Sequence, residues 1–230
     1  MTPTVKVAAT PYPFPAEGPL VAAQTALLVI DMQHDFCAPD GYIARLGYDV
    51  APLRRPIAPL VRALAAARRA GLAVLYTRQG YRADLADLAA AKRARYGRAG
   101  VTVGEGGVLV RGTAGWPIIP ELAPVPGEAI IDKTANSAFY GTDLEPVLRA
   151  KGVSDLVFTG NTIDVCVHST LRQAVDRGYR CLVLADCCGA VSEDLHRAAV
   201  AMVTVENGVF GAVADGAALC AALEALGPGV

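Results

Sequence analysis

Three side chains of types suited to nucleophilic hydrolysis stand where buried strands are expected to end. Cys166 follows the apolar run Leu156-Val157-Phe158-Thr159 across a polar turn starting at Gly160. It opens a segment whose apolar positions, Val167, Leu171, Ala174 and Val175, recur at helical spacing. A thiol there faces the positive end of a helix dipole and unpaired backbone N–H groups, which favour the thiolate and leave donors for a developing oxyanion. Asp31 ends the run Ala26-Leu27-Leu28-Val29-Ile30, and Lys133 ends Ala129-Ile130-Ile131-Asp132. A thiol needs a base to become a nucleophile and a proton source for a leaving amine; one carboxylate can be both, with a lysine beside it to fix it and orient the substrate. Singly, Cys166 reads as a buried small hydrophobe, Asp31 as a helix cap and Lys133 as a solvated strand end. Together at one predicted sheet edge they make a Cys–Asp–Lys set. None of the three histidines, His34, His168 and His196, ends a strand, but His34 follows Asp31 closely enough to leave a Cys–His pair open.

The elements that must position these groups alternate. Apolar strands are predicted at 26–30, 73–77, 129–131, 156–159, 181–185 and 209–213. Helices are predicted at 52–70, 85–92, 118–122, about 142–150, from Cys166, from Ser192 and at 217–226. Strands alternating with amphipathic helices indicate an α/β fold, an open doubly wound, mainly parallel six-stranded sheet with helices on both faces. Sites in such sheets form beyond the carboxyl ends of the strands. The spaced prolines of Thr10 to Leu20 exclude regular structure. The first 25 residues therefore read as an extended arm on the surface or on a neighbouring subunit, and 26–230 as a single domain. The polar, Gly-studded stretch 78–108 is long enough to be a functional excursion.

Composition narrows the class. The chain has 230 residues, 53% of them hydrophobic, and a formal net charge of -1 with dispersed basic residues, so nucleic acid and anionic membranes are not expected partners. Neither a signal-peptide core nor a membrane-length apolar run is present, and the expected location is cytoplasmic. The six cysteines, none in a metal-binding spacing, read as reduced thiols, with the vicinal Cys187-Cys188 as a possible redox pair.

These residues resemble the isochorismatase-like cysteine hydrolases, with the nearest likeness to biuret and triuret hydrolases and ureidoacrylate amidohydrolase. The likeness runs through PYPFP, VIDMQHDFC, TRQGYRADLADL, GTAGWPIIPEL, IDKTANSAFYGTDLE, FTGNTIDVCVHSTLR, LADCCGA and GVFGAV. It implies Cys166 as nucleophile, Asp31 as general base and acid, and Lys133 as third member of the triad. It further implies a cis peptide at Asn161-Thr162, an oxyanion hole from the Thr162 and Cys166 backbone N–H groups, and substrate contacts at Phe36, Asn136 and Glu206.

The departures from the family pattern are specific. Ile163 replaces a threonine common three residues before the cysteine. Asn136 and Glu206 stand where biuret hydrolases resemble one another in a lysine and a glutamine. Exchange of Gln for Glu removes two donors and adds a charge, so Glu206 predicts a substrate presenting N–H donors or a positive charge, and biuret is not the expected substrate. Arg78-Gln79-Gly80-Tyr81 lacks the Asp-x-His of nicotinamidases, so neither a metal nor another cofactor is expected. The implied function is a cysteine-dependent amidohydrolase cleaving a C–N bond of a small linear amide or ureide through a thioester, and the implied assembly is a dimer or tetramer. The alternatives are an isochorismatase-type vinyl-ether hydrolase, a non-catalytic binding protein of the same fold, and a thiol redox protein.

Overall fold

Backbone pattern sets the layers of the molecule, described here for residues 5–227 from a computed structural model. The strands β1 (Thr25–Ile30), β2 (Ala73–Gln79), β3 (Ala129–Lys133), β4 (Asp155–Asn161), β5 (Arg180–Gly189) and β6 (Ala212–Ala214) form one sheet in the order β3-β2-β1-β4-β5-β6, with every pairing parallel. Both faces are covered, and side-chain alternation divides the core. Leu27 and Val29 of β1 belong to one apolar layer, while Ala26, Leu28 and Ile30 belong to the other.

Among the described residues ten α-helical segments surround the sheet. The one-turn helices α1 (His34–Cys37), α2 (Tyr42–Arg45) and α3 (Ala51–Arg54) precede α4 (Ile57–Arg69), and α5 (Ala90–Arg98) rises from the excursion. Then follow α6 (Leu144–Ala150), α7 (His168–Asp176), α8 (Glu193–Val203), the single turn α9 (Val205–Gly208) and α10 (Gly216–Leu226). Leu60, Ala63 and Leu64 of α4 and Leu219 and Leu223 of α10 fill one layer; Leu144 and Leu148 of α6, Leu171 of α7 and Val203 of α8 fill the other. Each buried leucine removes apolar surface worth roughly 2 kcal/mol from water.

Several boundaries differ from the sequence reading, each for a local reason. The predicted helix 52–70 is divided at Pro56, which has no N–H to continue the ladder from α3 into α4. The helix expected at 85–92 begins at Ala90 instead, since Leu85 takes a left-handed φ of 54°. At 118–122 only Pro120–Leu122 is helical, because Ile118 pairs with Gln33 in a short antiparallel bridge. The sixth strand starts at Ala212 and not Val209, after left-handed residues Glu206 and Asn207 have turned the chain through α9. The amino-terminal segment is extended as expected, but its seat is its own chain. Val7 pairs with Phe14, Thr10 pairs with Val213 of β6, and Val7, Phe14 and Leu20 are buried in the core. Residues 1–4 of the expected arm lie outside the described residues. Among the described residues no helix is long and apolar enough to cross a membrane.

The sheet reverses its winding between β1 and β4, and the crevice beyond their carboxyl ends is the expected site. There the two backbones approach closely. Ile30 is in register with Gly160, whose φ is 107° and whose missing Cβ would overlap the Ile30 carbonyl oxygen. Gly160→Ala is expected to cost about 3 kcal/mol, from overpacking and the disallowed φ together, read as a lowered urea midpoint. An unshifted midpoint would contradict this account of the crevice.

Candidate active site

Asp31 leaves β1 in a left-handed conformation, φ 49°, which folds its carboxyl group back over the strand ends. Lys133 closes β3, and Cys166 lies in a wide turn after β4, where the Val167 N–H reaches back to the Thr162 oxygen before α7 becomes regular at His168. Cys166 thus sits just ahead of the regular helix.

The three side chains meet. Lys133 Nζ is 2.7 Å from Asp31 Oδ2, with both side chains fully buried. It also lies 3.0 Å from Gln79 Oε1, 3.0 Å from the Ala135 oxygen and 3.5 Å from Cys166 Sγ. Lys133 and Asp31 are therefore a buried ion pair, and their 2.7 Å separation is the shortest contact the ammonium makes. The other carboxyl oxygen is occupied, since Thr77 Oγ1 donates to Asp31 Oδ1 at 2.6 Å. Asp31 Oδ2 and the Cys166 sulfur thus share the Lys133 ammonium.

Electrostatics set the resting protonation. Burial pushes the Cys166 thiol up to about 12; the Lys133 charge opposes this and Asp31 adds to it. The thiolate preference expected at a helix start is outweighed by desolvation. Burial alone would depress the Lys133 ammonium, but Asp31 and Cys166 hold it above the ordinary lysine value. The resting site is a neutral thiol beside a charged lysine.

The chain's three histidines are engaged elsewhere, which removes the Cys–His alternative. His34 Nε2 is 2.8 Å from Asp40 at the surface, His168 lies between Ala199 and Arg172, and His196 pairs with the Ala185 oxygen. All six cysteines are free. Cys187 and Cys188, neighbours on β5, point to opposite faces of the sheet and join different core layers, so they form no redox pair.

A cavity of about 360 Å³ opens onto the sulfur, lined by Phe36, Tyr42, Gln79, Arg95, Tyr96, Asn136, Thr162, Asp164 and Cys166 among others. Phe36 and Asn136 are among its lining residues. Thr162 follows a cis Asn161-Thr162 peptide, and its N–H has no protein partner among the described residues. Glu206 is a correction: it is exposed in α9 and lines no part of this cavity, so the cationic substrate inferred from it loses its basis. The hollow between α4 and α10, at Ala66, Ala70 and Leu223, carries no nucleophile.

Sequence reasoning missed the supports. Gln33 clamps the end of β2, accepting from the Gln79 N–H at 2.6 Å and donating to the Gln79 and Trp116 oxygens. Gln79, 5% exposed, accepts from Lys133 and leaves its Nε2 buried without a partner. Thr77 and Gln79 are two apart on β2, a spacing that places both on the face of Lys133, but only the register of β2 against β1 and β3 makes it legible. Among the described residues, no group of three or more His, Cys, Asp or Glu has metal-holding geometry.

Comparison with known proteins finds relatives over most of the chain. Residues 25–218 match the family model described as isochorismatase domain. The chain is 37% identical over 209 residues to ureidoacrylate amidohydrolase RutB of Methylobacterium radiotolerans, covering 87% of this chain and 80% of the relative. It is 32% identical to the protein of that name from Rhizobium rhizogenes, covering 91% and 87%. Among solved structures, a cysteine hydrolase from Pseudomonas syringae pv. phaseolicola superposes with a TM-score of 0.80 at 26% identity, covering 98% of this chain and all of that one. N-carbamoylsarcosine amidase from Thermoplasma acidophilum gives 0.63 at 26% identity, covering 84% and 96%.

Proposed function

Because the chain belongs to the isochorismatase family, and its relatives are named amidohydrolases, we propose that it cleaves a C–N bond of a small linear amide or ureide with Cys166 as nucleophile. The observation that carries this is the buried Asp31 carboxylate and the Cys166 sulfur held on one ammonium, Lys133, at 2.7 and 3.5 Å.

Substrate entering the cavity meets Cys166, the one triad member that lines it. Asp31 Oδ2 takes the thiol proton as sulfur attacks the carbonyl carbon, so charge never rests on an isolated buried thiolate. The carbonyl oxygen gains the negative charge against the Thr162 and Cys166 N–H groups. Collapse breaks the C–N bond, and the proton held on Asp31 passes to the departing nitrogen. A thioester remains, or a thiocarbamate when the substrate is a ureide. Asp31 then deprotonates a water that attacks this acyl-enzyme, and passes that proton to the departing sulfur. Lys133 keeps the carboxylate in place throughout. Two further groups suit an amide or ureide head: Gln79 Nε2 is a donor with no protein partner, and Asp164 Oδ1 is a buried acceptor with none.

Acid-quenched intact mass during turnover tests the reading. Ammonia release from a panel of ureides and amides should select one group of substrates, and the matching acyl adduct should map to Cys166 in the presence of EDTA. An adduct absent under every quench, with ammonia still released at full rate, would show that no covalent intermediate forms.

A further inference from the structure

One buried carboxyl group takes no part in the chemistry proposed above. Asp35 of α1 is 2% exposed, and burial raises its pKa above the ordinary carboxylate range. A group kept in such a place has to be satisfied by donors, and those of Asp35 belong to the backbone. The Leu109 N–H donates to Asp35 Oδ2 at 2.8 Å, and the Tyr42 N–H also favours the ionised form. Leu109 comes from the long segment between β2 and β3, Tyr42 from the start of α2, and both line the cavity that opens onto Cys166. Leu109 has a left-handed φ of 53°, a conformation that a leucine keeps only where its surroundings impose it.

Asp35 grips the same segment a second time. Its own N–H donates to the Gly115 oxygen at 2.8 Å, and a Cβ on Gly115 would overlap the Asp35 carboxyl group. Between these two contacts the chain is braced on itself, with Thr113 Oγ1 2.6 Å from the Gly107 oxygen and 2.7 Å from that of Val110. The tie also runs onward. The Tyr81 N–H donates to the Leu109 oxygen at 2.8 Å, and the Tyr81 hydroxyl is 3.2 Å from that of Tyr96, the buried residue of α5 that lines the cavity too. Three wall residues therefore depend on one carboxyl group, Leu109 and Tyr42 directly and Tyr96 through Tyr81. The triad has other supports, since the side-chain contacts of Asp31 and Lys133 run to Thr77, Gln79, Ala135 and Cys166.

We propose that Asp35 is a positioning residue for substrate binding: it fixes the cavity wall through Leu109 and Tyr42 and touches neither the substrate nor the reacting atoms. This rests on the reading of the site as an amidohydrolase and adds to it the residue that sets how firmly the substrate is held. Loss of the carboxyl group loosens the wall and leaves the triad in place, so binding and chemistry come apart.

The test follows ammonia from the best substrate of the panel in the parent, Asp35→Ala, Asp35→Asn and Gly115→Ala, with the thermal midpoint of each. Asp35→Ala should raise KM about tenfold while kcat stays within about threefold of the parent. Asp35→Asn keeps an oxygen for the Leu109 N–H and should recover most of the KM. Gly115→Ala crowds the carboxyl group from the other side and should raise KM as Asp35→Ala does, with the double variant no worse than either alone. An unchanged KM in folded Asp35→Ala, or a fall in kcat alone, overturns the assignment. Where Asp35→Ala does not fold, Gly115→Ala carries the same test, and an unchanged KM there overturns it. A parent that hydrolyses nothing in the panel tells against the amidohydrolase reading instead. The wall is then probed by iodoacetamide, whose alkylation of Cys166, mapped by mass, depends on the cavity and not on turnover. Its rate should rise about threefold in Gly115→Ala and return toward the parent's in Asp35→Asn. A rate unchanged in Gly115→Ala overturns the assignment.

Discussion

Cys166→Ala is expected to lower turnover by about 10^4-fold or more while the fold remains intact. The substitution removes the nucleophile and little volume, and the Asp31–Lys133 ion pair beneath it keeps its charge balance. Cys166→Ser should be nearly as inactive, because a hydroxyl is a much weaker acid than a thiol and the site is already dry. The measurement is ammonia release beside circular dichroism and the thermal midpoint. The alternative within the same fold, general-acid cleavage of a vinyl ether, needs the carboxylic acid and not the thiol. Retention of more than about a tenth of the parental rate in a folded Cys166→Ala protein would therefore transfer the reaction to Asp31 and sink the thioester route.

The second large effect is expected from Asp31→Asn, and it separates two properties that usually move together. Turnover should fall by about 10^3-fold or more, since the acceptor of the thiol proton and the donor to the leaving nitrogen are lost at once. The thiol itself should become easier to ionise. Burial holds Cys166 at about 12, with Asp31 adding to the rise and Lys133 opposing it. Removing the Asp31 charge deletes a raising cause and leaves Lys133, 3.5 Å from the sulfur, with no other anion to neutralise it. Thiolate absorbance near 240 nm, taken as the difference from the same variant carrying Cys166→Ala, should appear at lower pH than in the parent. A folded Asp31→Asn protein that keeps its turnover and only shifts its pH profile would make Asp31 an electrostatic neighbour and not the base. Burying Lys133 without its partner also costs stability, so the variant is to be assayed below its lowered thermal midpoint.

Glu206 and Arg95 show how a site is misread from one dimension. A carboxylate in a motif that resembles a binding position invites a role, yet left-handed φ values at Glu206 and Asn207 turn that segment outward. Arg95 carries no local signal that separates it from Arg93 or Arg98. Only the packing of Tyr96 under the helix decides which of these cations lines the cavity.

By itself the sequence determined the α/β class, the presence of six strands and the placement of Asp31, Lys133 and Cys166 beyond strand ends. These depend on local causes: short β-type apolar runs, helical spacing between them, and polar residues placed where each run stops. Parallel strands buried on both faces leave their carboxyl ends as the one place for such residues, so Asp31, Lys133 and Cys166 were legible before any contact was known. The tertiary structure decided what depends on residues distant in the chain. It set the neutral state of the Cys166 thiol, because desolvation is a property of the packed surroundings and outweighs the helix-terminus field. It fixed the Asp31 carboxylate, because Thr77, which donates to it, stands 46 residues away in sequence. It also separated Cys187 from Cys188 and turned Arg95 inward. Spacing along a chain records the period of an element, and charge, burial and proton transfer are settled where elements meet.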